Sequence, residues 1–366
     1  MLSVSSNPLK RSSFKMRFPK FLLLTAAASV SIAEPLRSRE TDDKIGYLFT
    51  NFPVNDEQVY MHLSNGNDAL SYRQLSYDGT PETVRILEST VGTTGVRDHF
   101  IIAAPDMSRY WLHSTDLKVN ALGGDFINAT RFGSRSIVIW ESTDLAEWSE
   151  PRLSAPLANV SAGNVWAPES YWDATRSEYI VIFSSRYWDP TDVDRTGRSP
   201  PNQLMYVTTK DFVSFSKEEV YFSPGYPVID CSLLHVPEQG QDVWYRWVKS
   251  EVDYKIWQQR SASGILGSWT NVGDAPDGTR VNFADQYSNN EGQLAFRDNK
   301  DPGLFHLWID QSSTETYIPA QARTLNNMNA WQLSDTKNFT NNTKHGWILP
   351  LNQQQYNTIL AKYRLI

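Results

Sequence analysis

Along most of the chain, apolar and polar residues alternate in short bursts, and the bursts recur. Alternating stretches at residues 59–64, 137–142, 204–209, 256–261 and 317–322 each lead into a turn rich in Ser, Thr or Asn. Each then reaches an aromatic residue: Tyr72, Trp148, Phe215, Trp269 and, for the last, the neighbourhood of Trp331. A period of two is the mark of a strand with two unlike faces. Between copies lie further apolar runs, among them 100–104, 110–114, 179–184, 243–248 and 305–309. Three or four short strands per unit of about 60 residues, repeated five times with few helical patterns, predict an all-β, five-bladed β-propeller. A two-sheet sandwich would use about 100 residues for seven strands and fits the spacing less well. The run at 346–351 is an inner strand without outer strands, whereas 46–75 supplies outer strands without an inner one. Pairing the N-terminal strands with the C-terminal strand would therefore close one blade. Residues 356–363 carry the one clear helical pattern, and the polar stretch 189–203 is expected to be a surface loop.

The first 33 residues read differently. Lys10, Arg11, Lys15, Arg17 and Lys20 precede an apolar run at 21–33 ending in Ser31-Ile32-Ala33. That is the pattern of a secretory signal peptide cleaved after Ala33, with Met16 as an alternative start. The run falls short of the roughly 20 residues needed to cross a bilayer. The expected organisation is a signal peptide at 1–33, a short linker at 34–43 and one propeller at 44–366, secreted, monomeric and outside the membrane. Asn128, Asn159, Asn338 and Asn341 head Asn-x-Ser/Thr triplets, as in a secreted glycoprotein. Residues 34–366 carry a net charge of −12 with no Lys/Arg block, which argues against a nucleic-acid partner. Cys231 is the single cysteine, so an intrachain disulfide and a Cys-based zinc site are both excluded. The 13 Trp, 17 Tyr and 16 Phe supply core mass and flat platforms for apolar ligand faces.

An ionisable residue opens the first strand of every unit: Asp98, Glu169, Asp230, Glu291 and His345. The innermost strands of a propeller run side by side along its central channel, so these groups should meet in a ring at one mouth. Any one of them could be a solvated turn residue or a satisfied core histidine. A ring of like charges is costly, however, and such costs concentrate at functional sites. Carboxyl groups in an aromatic-lined channel suit glycoside hydrolysis, in which one acid protonates the leaving oxygen and one carboxylate activates water or attacks the sugar. His-Glu-x-x-His, Gly-x-Gly-x-x-Gly and Gly-x-Ser-x-Gly motifs are absent from the sequence.

The order of motifs also resembles glycoside hydrolase family 43, the arabinanase, arabinofuranosidase and xylosidase propellers. The resemblance rests on Gly95-Val96-Arg97-Asp98, the stretch from Ser134 through Trp140-Glu141-Ser142-Thr143-Asp144-Leu145, Trp166-Ala167-Pro168-Glu169, Val228-Ile229-Asp230, Asn290-Glu291-Gly292 and His345-Gly346. It implies inversion at the anomeric carbon, with Asp98 as general base, Glu291 as general acid and Asp230 setting the acid's pKa and orientation. It further implies Trp166 and Glu169 as substrate-binding residues, no required cofactor, and His345 helping to hold a structural calcium through waters. Two positions depart from the family pattern, His99 and Gln293 standing where proline is usual. Beside the base, His99 joins the expected substrate-binding residues. Inversion would place the Asp98 and Glu291 carboxyl groups about 6.5–9.5 Å apart, and repulsion from Asp230 would keep Glu291 protonated. The implied substrate is a polysaccharide or oligosaccharide of plant cell walls, most simply terminal α-L-arabinofuranosyl units on arabinan or arabinoxylan. Xylosides and galactofuranosides are the alternatives within the family. A non-catalytic sugar-binding propeller and a WD-repeat interaction propeller are the rivals outside it. Three surviving carboxyl groups argue against the first, and missing Gly-His and Trp-Asp marks against the second.

Overall fold

The computed structural model describes residues 43–366 apart from 273–280, 285 and 313–315. The expected signal peptide and all but Asp43 of the linker lie outside the described residues. Four consecutive antiparallel sheets follow one another along the chain. The first contains Val96–Ala103, Tyr110–Asp116, Ile137–Ser142 and Arg152–Leu153. The second contains Trp166–Asp173, Glu178–Ser185, Gln203–Thr209 and Glu219–Phe222. The third contains Val228–His235, Trp244–Ser250, Ile256–Ser261 and Trp269–Asn271, and the fourth Asn290–Arg297, Phe305–Gln311, Thr316–Ala322 and Gln332–Leu333. A fifth sheet draws on both ends of this region: Lys344–Asn352 is innermost, then come Lys44–Phe52, Val59–Ser64 and Tyr72–Ser76. The innermost strands of successive sheets pack side by side in a closed circle, giving the five-bladed propeller.

Ring closure is a matter of backbone approach. Lys44–Phe52 and Lys344–Asn352 pair from Lys44↔Asn352 to Phe52↔Lys344. At Gly346 the partner strand comes so close that a Cβ would lie 1.7 Å from the Thr50 carbonyl oxygen, which only glycine tolerates. Both faces of the sheets are buried between neighbouring blades, so their strands carry large side chains on both sides. Trp140, Trp247 and Trp308 are almost wholly buried, each removing enough apolar surface to contribute a few kcal/mol, on the order of 25 cal/mol per Å². The helix expected at 356–363 is Gln353–Lys362, starting earlier because Asn352 and Gln355 form a reciprocal capping box. The loop after Glu178–Ser185 is held by Asp189 and Asp192, whose carboxylates accept hydrogen bonds from nearby amides and Thr191. Among the described residues no helix is long and apolar enough to cross a membrane.

Candidate active site

Each innermost strand breaks register near its start. The breaks fall between Arg97 and Phe100, Trp166 and Glu169, Ile229 and Cys231, Glu291 and Leu294, and opposite Thr50–Phe52 in the closing blade. A bulge of this kind turns a side chain out of the sheet and increases twist. Its pivot has positive φ at Asp98 (54°), Ala167 (48°), Asp230 (53°) and Gly292 (50°). Asp tolerates the left-handed region better than most residues. At Gly292 an added Cβ would meet the His345 ring at 2.8 Å, so the tight ring requires glycine there. These pivots correct the expectation of five equivalent positions. Asp98 and Asp230 occupy the pivot itself, Glu291 precedes it by one residue and Glu169 follows it by two.

His345 is the hub. Its Nδ1 lies 3.1 Å from Asp98 Oδ1. Burial works against its charge, but Asp98, Asp230 and Glu169 outweigh burial and lift its pKa to about 10, so it is an imidazolium at neutral pH. The Thr115 hydroxyl donates to Asp98 Oδ2 at 2.7 Å and accepts from the Ala167 amide at 2.8 Å, tying the first two blades together beside Asp98. Burial alone would raise the Asp98 pKa, yet the His345 charge, the Arg97 guanidinium and the Thr115 hydroxyl hold it well below the carboxylate range. Asp98 is thus ionised and firmly oriented.

Burial instead dominates at Asp230 and Glu169, 5% and 4% exposed, and pushes both pKa values up, that of Glu169 far up. Asp230 Oδ2 accepts from the Gly292 amide at 2.9 Å, and Glu169 is hydrogen-bonded by the Tyr171 hydroxyl. Glu291 behaves in the opposite way to the expectation. Lys249 Nζ is 3.2 Å from its Oε2 and Lys344 Nζ 3.3 Å from its Oε1. Burial tends to raise its pKa, but these two ammonium groups outweigh burial and lower it. Asp230 does not keep Glu291 protonated; the lysine clamp keeps it charged. Lys344 also pairs with Asp310 at 2.8 Å, whose pKa burial nevertheless lifts to about 6.

The two family departures are structural. His99 faces away from the channel and is 1% exposed, its Nδ1 sharing a hydrogen with Ser114 Oγ at 2.7 Å and its Nε2 with the Gln58 carbonyl at 3.1 Å. With both ring nitrogens partnered and almost no exposed surface, His99 has no group to offer a sugar, contrary to the expectation that it binds substrate. Gln293 is fully buried and its amide donates to the carbonyls of Asp230 and Trp247, both at 2.9 Å, bonds that a proline could not make. Trp166 is half-buried at the mouth, edge-on to Phe126 at 6.2 Å between ring centres, and Phe126 in turn lies under the Arg97 guanidinium.

The side chains around His345 offer little to a directly bound calcium. An imidazolium facing the channel repels a cation, and calcium seeks free oxygen ligands. Here Asp98 is taken by His345, Glu291 and Asp310 by lysines, Asp230 by an amide and Glu169 by Tyr171. Among the described residues no group of three or more His, Cys, Asp or Glu is arranged to hold a metal ion.

Sequence reasoning missed Thr115, Lys249, Asp310 and Lys344. Lys249 and Asp310 are charges inside strands that are buried along their whole length, Trp244–Ser250 and Phe305–Gln311. A buried charge demands a partner, and that signal could have found them.

A ring of carboxyl groups at the mouth of a five-bladed propeller defines a class of carbohydrate-active fold, and comparison with known families agrees. Residues 42–357 match the glycosyl hydrolase 43-related family, described as a probable glycosyl hydrolase domain. The chain belongs to that family. An α-L-arabinofuranosidase of Bifidobacterium longum is 27% identical over 238 residues, 62% of this chain, which spans 21% of that protein's length. Among solved structures, an endo-arabinase from Bacteroides thetaiotaomicron is 15% identical, with a TM-score of 0.45 over 72% of this chain and 97% of that one. An exo-β-1,3-galactanase from Phanerochaete chrysosporium, crystallised with β-1,3-galactotriose, is 14% identical, with a TM-score of 0.46 over 68% and 52%.

Proposed function

We propose that the protein is a secreted, monomeric glycoside hydrolase that inverts the anomeric centre, needs no cofactor and releases α-L-arabinofuranosyl units from plant polysaccharide. One observation carries the assignment of roles. Of the four carboxyl groups in the ring, Asp98 and Glu291 are the exposed ones, their side chains 14% and 28% accessible, whereas Asp230 and Glu169 are covered. A group that exchanges protons with a sugar or its attacking water must be reachable.

Asp98, ionised and held by His345 and Thr115, takes the proton of the water that attacks the anomeric carbon. Glu291 gives its proton to the departing oxygen. In the free protein it is charged, so the sugar entering between Glu291 and its two lysines must weaken those ion pairs for the acid to load. Asp230 anchors the Gly292 amide beside the acid, and Trp166 offers a ring face to the sugar. The arabinofuranosyl specificity draws on the α-L-arabinofuranosidase relative. The test is turnover of aryl α-L-arabinofuranoside, β-D-xyloside and β-D-galactofuranoside, side by side with Asp98→Asn. Hydrolysis of the arabinofuranoside, abolished in Asp98→Asn, is expected; turnover of the xyloside alone would reassign the sugar, and silence on all three would remove the enzyme reading.

A further inference from the structure

We propose that a groove on the flank of the closing blade is a second carbohydrate site, distinct from the carboxyl ring, that binds a segment of neutral oligosaccharide. The cavity measures about 520 Å³ and is bordered by Asn51, His62 and Tyr72. These three polar side chains are 1%, 5% and 8% exposed, so the groove is lined by buried polar chemistry rather than by mobile surface residues. The Tyr72 ring forms part of the wall, with its hydroxyl buried behind it. Asn51 Nδ2 donates to His62 Nδ1 at 2.9 Å, which leaves the ring proton on Nε2 as a further donor.

The rim continues this character with Asp56, Tyr60, Arg73, Gln74 and Asn341. Asp56 is already paired with Arg85 and with the Tyr60 hydroxyl. Arg73 is then the single cation on the wall, and it donates to the Leu365 carbonyl at 2.7 Å. Amides, phenols and an imidazole offering donors and acceptors together, without a cation cluster, match vicinal hydroxyls and not phosphate or uronate chains. The position is also informative. Asn51 adjoins Phe52, which pairs with Lys344 of the carboxyl ring, and the Val54 amide donates to Asn342 Oδ1 at 3.3 Å. The groove therefore starts at the same end of the propeller as the ring and runs outward from it, where the rest of a polymer chain could lie.

The identity of the sugar rests on the glycosidase reading; the existence of the groove does not. The test uses the full chain made without glycosylation, run by electrophoresis through gels containing arabinan, arabinoxylan or β-1,3-galactan. Asp98→Asn serves as the background so that the polymer stays intact. One polymer is expected to retard this protein, and Gln74→Ala with Asn341→Ala to weaken retardation at least fivefold. In the otherwise wild-type chain, the Gln74→Ala and Asn341→Ala pair should raise KM for the polymer about fivefold and leave KM for the aryl glycoside unchanged. Equal retardation of parent and rim variants, or retardation by no polymer, would overturn the proposal. Rim-dependent retardation in a protein silent on every glycoside would uphold the groove while the hydrolase reading fails.

Discussion

Replacing His345 by Gln probes how the ring prepares its base. The substitution keeps a hydrogen-bond donor of similar reach but removes the charge that lies 3.1 Å from Asp98. At an effective dielectric constant of about 20, a unit charge pair at that distance interacts by roughly 5 kcal/mol. At 1.36 kcal/mol per pH unit, that is roughly three to four units of Asp98 pKa. Arg97 and Thr115 remain and soften the loss, while burial, until now overruled, drives the pKa further up. Asp98 should then titrate at or above the ordinary value of about 4. Because the base must be ionised, activity falls as pH drops through its pKa, and a raised pKa moves the acid limb upward. The assay is kcat/KM for an aryl α-L-arabinofuranoside across the acid range, which reports groups of the free enzyme, with near-ultraviolet circular dichroism as the check on folding. An upward shift of at least about two units is expected in His345→Gln. Superimposable acid limbs in a folded variant would refute the claim that His345 sets the charge of Asp98.

Other outcomes follow from the same geometry. Glu291→Gln should lose about 10²–10⁴-fold in kcat on a glycoside with a poor leaving group and far less on one with an activated leaving group, as for a lost general acid. Lys249→Met should raise the Glu291 pKa and carry the alkaline limb of kcat/KM upward, because the lysine clamp lowers it in the parent; an unmoved limb would remove Glu291 as the acid. Burial lowers the pKa of His62 to about 3, His99 to about 4 and His113 to about 3. The unfolded chain therefore binds protons that the folded chain refuses, and stability should fall as pH drops from 6.5 towards 4. His99 alone accounts for roughly 3 kcal/mol at the acid end, measured as a lower denaturant midpoint.

The repeat was readable because a propeller writes the same strand five times. The alternating stretches at 59–64, 137–142, 204–209, 256–261 and 317–322 are all the third strand from the axis of their blades, with limits that agree with Val59–Ser64, Ile137–Ser142 and Ile256–Ser261. Blade closure was legible for a related reason: an inner strand without outer partners has to find them. What stayed hidden depends on contacts between blades. That Glu291 is charged follows from Lys249 and Lys344, which reach it from the third and closing blades and lie 42 and 53 residues away in sequence. His99 follows Asp98 in sequence, yet its ring is buried against Ser114 and the Gln58 carbonyl. Asp98, Asp230 and Glu291 stood out as candidates because bulges place ionisable residues at strand starts, where a period-two pattern is easiest to see broken.

The central claim, an inverting hydrolysis run by Asp98 and Glu291, is tested most directly by proton NMR of the first sugar released from an aryl α-L-arabinofuranoside. The account expects β-arabinofuranose to appear first and then mutarotate, with no product from Asp98→Asn. Initial release of the α-anomer would contradict it, because retention requires a carboxylate that attacks the sugar rather than one that activates water.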